Sequence, residues 1–292
     1  MLRQIEAAFE KIPTERILSI ARAVQGEIVA GRSSVSYKDS TEIVTQADIE
    51  IQRVLLEHFA RSSIAGMYRI KAEEACDSGA VNDCDPLQLV IDPLDGTNPF
   101  VRGESLWGTM VGVCDSGGAL RYSWNLLSDG TVYCSSADEE KPERDWGNST
   151  RELVLDLFDY GAGVATRSAG LLGQPYRATS VPSAVWTGWK LLRGELDGLL
   201  WLSSSLGKGL YPDYDLVFLG ALASRGFRVA LGRNGAHDEQ VSIVAVAPCE
   251  AGLERLWNVG LSVLTPELQS AIRRDDELRI TTPIREAKRE AL

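Results

Sequence analysis

The chain has 292 residues, 44% of them apolar and 24% charged, which is enough for a sizeable core and ordinary for a globular protein. Its 30 basic residues against 41 acidic ones leave a net charge of −11. That argues against a nucleic-acid polymer or an anionic membrane as partner, and admits an anionic small molecule only where a bound cation reverses the sign locally.

The N-terminal stretch "MLRQIEAAFEKIPTERIL" is amphipathic and carries charge throughout, unlike the apolar core of a signal peptide. In "TERILSIARAVQGEIV", Ile17, Leu18, Ile20, Ala21 and Val24 fall at helical spacing, which predicts a helix over 14–29. "QADIEIQRVLLEHFA" predicts a second, with Thr45 or Asp48 at its start. "GMYRIKAEEA" reads as a strand ending in Glu73 and Glu74, and "LQLVID" as a short buried strand. "LWGTMVGVCD", "ALRYSWNLL" and "TVYCSS" are strands separated by turns, the pattern of an antiparallel meander. Residues 136–150, with seven charges, a proline and a glycine, read as an exposed excursion. It divides one 292-residue unit into parts at about 1–140 and 150–292. Beyond it come a helix in "SAVWTGWKLLRGELDG" stopping at Gly194, a strand in "DGLLWL", helical spacing in "YDLVFLGALASRG" stopping at Gly226, and strands in "FRVAL" and "QVSIVAVA". The five cysteines (Cys76, Cys84, Cys114, Cys134, Cys249) show no CxxC spacing, and no apolar run approaches the ~18 residues of a membrane span. The expectation is a cytoplasmic α+β protein with its elements in layers.

Acidic residues gather at element ends in three places: Glu73/Glu74, Asp92/Asp95 and Asp213/Asp215. In "DPLDGT" Pro93 fixes one φ and Gly96 permits a tight turn, so a turn there can aim both aspartates and a carbonyl between them at one point. Hard oxygen ligands of that kind suit magnesium, manganese or calcium. The plainer reading is that Asp92 and Asp95 cap a turn. It leaves the second acidic pair upstream and the adjoining Thr97 without a reason.

"DPLDGT" after an apolar strand, "EE" about twenty residues earlier, "VTQAD" earlier still and "YDLVFLGALASRGFRV" late in the chain resemble the inositol monophosphatase family in order and spacing. The resemblance implies a layered αβαβα sandwich and a lithium-sensitive, metal-dependent phosphatase of small phosphate esters. It implies two or three Mg²⁺ ions, with Mn²⁺ as a substitute, and a homodimer. It assigns Glu73, Asp92 and the Leu94 carbonyl to one metal, and Asp92, Asp95 and Asp215 to a second. Thr97 and Glu73 orient the attacking water, Asp48 supports Thr97, Asp95, Gly96 and Thr97 meet the substrate, and Glu74 is structural. The chain departs from the family pattern at Ala72 for glycine, at Asn98-Pro99 with the asparagine one place early, at Tyr214 for tryptophan, and at Gly226 where Gly-Gly is usual. No departure removes a metal ligand.

Rival chemistries leave traces. "PCEAGLER" fits the C-x-x-G-x-x-R of a cysteine phosphatase (Cys249, Gly252, Arg255), but Glu250 and Glu254 within it oppose a dianion. "DYDLV" fits an aspartyl-phosphate motif without the strand that should precede it. His58 and His237 have no partner motif, and Trp186, Trp189 and Trp201 read as core. A metal-binding regulatory protein that does not turn over is favoured only by the altered "GTNPF" turn. The reading is therefore a phosphomonoesterase for an inositol or sugar phosphate, with a nucleotide 3′-phosphate or another small alcohol phosphate as the alternative substrate. "RATSVPSA" and "SSSLGKGLYPD" are the specificity segments, where Lys208 either meets a second anionic group or is a solvated loop lysine.

Overall fold

The structure is a computed structural model describing residues 1–37, 43–74, 87–116, 118–135, 152–157, 170–171, 177–204, 213–234 and 240–275. The 136–150 excursion, Cys76, Cys84, His237 and Lys208 lie outside the described residues. By contacts the chain forms two compact units. One comprises 1–134, 182–186 and 213–221; the other comprises 135–181, 187–212 and 222–292.

In the first unit the N-terminal segment folds as α1 (Leu2–Phe9), α2 (Thr14–Val29) and α3 (Gln46–Phe59), with a short hairpin of β1 (Ser36–Tyr37) and β2 (Ile43–Val44) between the last two. Thr45 caps α3: its hydroxyl accepts from the Ala47 N–H, and Asp48 accepts from the Thr45 N–H in return, a reciprocal capping box. The helices cover one face of a five-stranded sheet ordered β3 (Tyr68–Ala72), β4 (Leu87–Asp95), β5 (Gly108–Asp115), β6 (Leu120–Leu127), β7 (Val132–Cys134). β3 and β4 run parallel; the remaining pairs form the expected antiparallel meander. Alternation decides which side chains meet the helices. Leu87, Leu89 and Ile91 of β4, with Val111 and Val113 of β5, share one core with Phe9, Ile17, Ile51 and Phe59. The other face is covered as well: a Cβ at Gly112 would lie 3.0 Å from Val217, and one at Gly108 would lie 2.6 Å from Val185. A sheet covered twice explains why β4 is buried along nearly its whole length.

His58 is a structural histidine, its Nε2 bonded at 2.8 Å to the Ala8 carbonyl and so tying α3 to α1. The tryptophan reading needs correction. Trp201 is core, but Trp186 is only partly buried and donates its indole N–H to the Trp107 carbonyl at 3.0 Å, while Arg193 sits 5.9 Å above the Trp189 ring.

The second unit holds a six-stranded sheet ordered β13 (Ile272–Asp275), β11 (Arg228–Asn234), β12 (Gln240–Ala247), β10 (Leu196–Leu202), β8 (Glu152–Leu157), β9 (Arg177–Thr179). α7 (Glu250–Val263) packs Leu253, Leu256 and Trp257 on Leu200, Ile243 and Ala245. Gly260 permits this approach, since a Cβ there would already stand 3.2 Å from Leu200 and Leu202. α8 (Pro266–Ala271) follows, and its Leu268 completes that core. α5 (Ala184–Arg193) and α6 (Phe218–Ser224) each begin in the first unit and end in the second. Gly226, at φ +84°, ends α6 in a left-handed turn where the Phe227 N–H reaches the Leu222 carbonyl, so a single glycine suffices where the family pattern has two.

Candidate metal centre

The aspartates of "DPLDGT" are not in a turn beyond a strand, as the sequence suggested, but inside β4. The β4–β5 register runs Asp92↔Met110 and Asp95↔Gly108, so three steps on one strand oppose two on the other. This is a β-bulge at Pro93–Leu94. In a regular strand residues three apart face opposite sides. The extra residue restores the parity, and both aspartates point to the face of Met110 and Gly108, away from α1–α3. The bulge is pinned on both sides: the Thr109 hydroxyl donates to the Pro93 carbonyl at 2.8 Å, and the Leu94 N–H donates to Asp92 Oδ1 at 3.1 Å.

Gly96 follows at φ +81°, and a Cβ there would come within 2.5 Å of the Leu106 carbonyl oxygen, so only glycine fits. α4 (Thr97–Val101) then begins, and the Thr97 hydroxyl donates back to the Leu94 carbonyl at 3.0 Å. Pro99 lies in the first turn of this helix, where the missing N–H costs no bond. The altered turn therefore still forms.

Glu73 extends β3 by one step, its N–H donating to the Ile91 carbonyl at 3.0 Å, which brings it level with Asp92. Asp215 arrives in a 3₁₀ turn, Asp213–Leu216. Oxygens of Asp92, Asp95 and Asp215 all lie within 4.8 Å of one another. Asp92 is 1% exposed, and its carboxyl is pushed well above the usual carboxylate range, first by burial and then by the charges of Glu73, Asp95 and Asp215. Asp95 is also raised by burial, with its hydrogen bonds to Ser183, Val185 and Ala184 opposing the shift. Crowded, desolvated carboxylate oxygens of this kind fit a hard divalent ion.

Asp48 departs from its expected role. Its Oδ2 accepts from both the N–H and the hydroxyl of Thr45, at 2.8 and 2.6 Å, and not from Thr97, while Oδ1 is buried without a hydrogen-bond partner. Burial pushes its pKa up to about 7; the Thr45 bonds oppose this, and the charges of Glu73 and Glu74 add to it. Glu74 exchanges backbone bonds with the Gln52 side chain at 3.2 and 3.1 Å, tying the end of β3 to α3. Ser183 was missed as a site residue: buried beside the cluster, it donates to Asp95 Oδ2. Its place before a helix marks it as a cap, but nothing local says which carboxylate it meets.

The rival sites resolve differently. Cys249 starts α7 with Glu250 and Glu254 in the first turn and a half, one 3.7 Å from Arg228 and the other 2.6 Å from Arg274. A cavity of about 400 Å³ lined by Lys11, Arg16, His58 and Arg61 includes none of the cluster carboxylates.

The fold is shared with solved structures of inositol monophosphatases. The model of the inositol monophosphatase family matches residues 4–120, a segment that carries every proposed metal ligand except Asp215. Similar solved structures extend the likeness over the fold. The extragenic suppressor protein SuhB of Bartonella henselae superposes with a TM-score of 0.65 at 12% identity, covering 87% of this chain and 96% of its own. A staphylococcal inositol monophosphatase in a LiCl inhibitory complex gives 0.61 at 15%, covering 89% and 95%. An inositol monophosphatase/NADP phosphatase complexed with Mg²⁺ and phosphate gives 0.58 at 15%, covering 88% and 95%. Among curated sequences the chain is 30% identical over 96 residues to glucose-1-phosphate thymidylyltransferase of Streptomyces griseus. That match spans about a third of each protein, 33% of this chain and 36% of that one.

Proposed function

We propose that this protein is a Mg²⁺-dependent phosphomonoesterase that hydrolyses a small phosphate ester, an inositol or sugar phosphate, with water as the nucleophile. The observation that carries the reading is the convergence of buried Asp92 and Asp95 with half-buried Asp215 beside Glu73, a crowding of carboxyls that a cation would relieve. Glu73, Asp92 and the Leu94 carbonyl would hold one ion, and Asp92, Asp95 and Asp215 a second. Bound divalent ions supply an activated water and neutralise charge on the attacking and leaving oxygens.

The chain's own groups do the positioning. The Thr97 hydroxyl spends its proton on the Leu94 carbonyl, so its lone pairs are left to accept from a water O–H. Glu73 holds the same water from the opposite strand end. The Leu94 carbonyl has two lone pairs and keeps one for an ion while serving Thr97. The left-handed turn at Gly96 presents its own N–H and that of Thr97 to phosphate oxygens without a side chain in the way. Asp48, through Thr45, fixes the start of α3 beneath Glu73 and Glu74.

Phosphate release from a panel of inositol, sugar, nucleotide 3′- and amino-alcohol phosphates, with Mg²⁺ and with excess chelator, tests the reading. Turnover of an inositol or sugar phosphate that stops on chelation is expected. Preference for a nucleotide 3′-phosphate would replace the substrate but keep the chemistry. No release from any ester, with Mg²⁺ bound, would leave a metal-binding regulatory protein.

A further inference from the structure

We infer that Ser183 is a positioning residue for Asp95, and that together with the start of α5 it restricts Asp95 to a single-ion ligand through one oxygen. The inference rests on the metal-dependent reading above and deepens it. An ionised carboxylate has about four acceptor sites, two on each oxygen. On Asp95, Oδ2 accepts from the Ser183 hydroxyl and from the Val185 N–H at 2.8 Å, which fills it. Oδ1 accepts from the Ala184 N–H at 3.0 Å, which leaves one acceptor site on that oxygen. The Ser183 hydroxyl in turn lies 3.4 Å from the Trp186 N–H, the bond of a helix cap.

Two jobs meet at this one hydroxyl: it caps α5, and it holds a buried carboxylate in one rotamer. Ser183 is 4% exposed and Asp95 8%, so water does not readily substitute for either bond. Gly96 lies against the Ser183 Cβ, with 3.1 Å left for a Cβ of its own, so the serine also backs the turn that carries Thr97. Removing the hydroxyl frees Oδ2 to rotate toward the cluster. Asp95 then changes from a fixed one-oxygen donor to a mobile one, and partners that orient a metal ligand are commonly worth 10–100-fold in metal affinity.

The two jobs separate by substitution. Serine to glycine at a helix cap costs only a few tenths of a kcal/mol, whereas serine to alanine costs more. Ser183→Gly therefore keeps the cap and removes the hold on Asp95, and Ser183→Thr keeps both. Metal-free full-length protein is titrated with Mn²⁺ by calorimetry, with melting curves alongside. The expected result is a Mn²⁺ dissociation constant raised about tenfold or more in Ser183→Gly at a nearly unchanged melting temperature, and wild-type affinity in Ser183→Thr. Wild-type affinity in Ser183→Gly would overturn the inference while leaving the metal-dependent reading intact. Absence of Mn²⁺ binding in the wild type would overturn both. Weakened affinity in Ser183→Gly that Ser183→Thr does not restore would also count against the hydroxyl.

Discussion

Two strand ends in this chain offered phosphate chemistry, and they are built in opposite ways. At the end of β4, Asp92 and Asp95 are buried together, and the Asp92 carboxyl is pushed up first by burial and then by the charges of three further carboxylates. At the end of β12, Glu250 and Glu254 are exposed, and each has an arginine, Arg228 and Arg274, within reach. In the second place the acids cost little, because water and arginine solvate them. In the first the carboxyls are crowded away from water, which pushes Asp92 toward its neutral form and would favour a bound cation. Burial and crowding of the acids, and not the match to a motif, distinguish the first strand end from the second.

The comparison breaks most easily at Asp215. Asp215→Asn keeps the size and removes one charge, so the fold should survive. Turnover should fall about a hundredfold or more, the scale of about 3 kcal/mol of lost transition-state stabilisation, and the Mg²⁺ needed for half-activity should rise. Rate measured against Mg²⁺ in both proteins checks this; unchanged curves would remove Asp215 from the site.

The next effect is on stability. Asp48 has a folded pKa of about 7, raised from the ordinary carboxylate value. The folded state therefore binds its proton more tightly than the unfolded chain does, so this group carries no penalty below about pH 4 and an increasing one as pH rises toward 7. The shift amounts to about 4 kcal/mol at full ionisation, as an order of magnitude. Melting in excess chelator at pH 5.5 and pH 8 should show a steeper loss of stability with pH in the wild type than in Asp48→Asn. Equal slopes would mean that Asp48 is solvated.

At the other strand end the changes should be small. Arg274→Ala loses an ion pair with Glu254 and a position 5.0 Å over the Trp257 ring, together about 1 kcal/mol, with turnover unchanged. Cys249→Ser should alter neither rate nor melting temperature measurably. Loss of activity there would revive the cysteine chemistry and undo the contrast.

Much of this was legible in the sequence where one element carries its own signal. The 3.6-residue spacing of Ile17, Leu18 and Ala21 marked α2 to its observed ends, and Thr45 with Asp48 marked the start of α3. β8, β9 and β13 were not legible. β13, "IRRD", is an edge strand rich in charge, and such strands are charged because their open side must discourage further pairing. The site was legible as residue types but not as geometry. Ser183 lies 88 positions from Asp95 in sequence, and only the folded chain brings its hydroxyl to the carboxylate.

The bulge at Pro93–Leu94 turns spacing into a matter of arithmetic. Because one strand counts three where its neighbour counts two, the aspartates share a face although they stand an odd interval apart. Delete Leu94 and the strand becomes regular, with the two acids now an even interval apart and still on one face. That shorter version, however, loses the Leu94 carbonyl that accepts from the Thr97 hydroxyl at 3.0 Å. The odd count thus exchanges a regular ladder for a carbonyl that ties the start of α4 to the end of β4, so the number of residues between the acids matters as much as their identity.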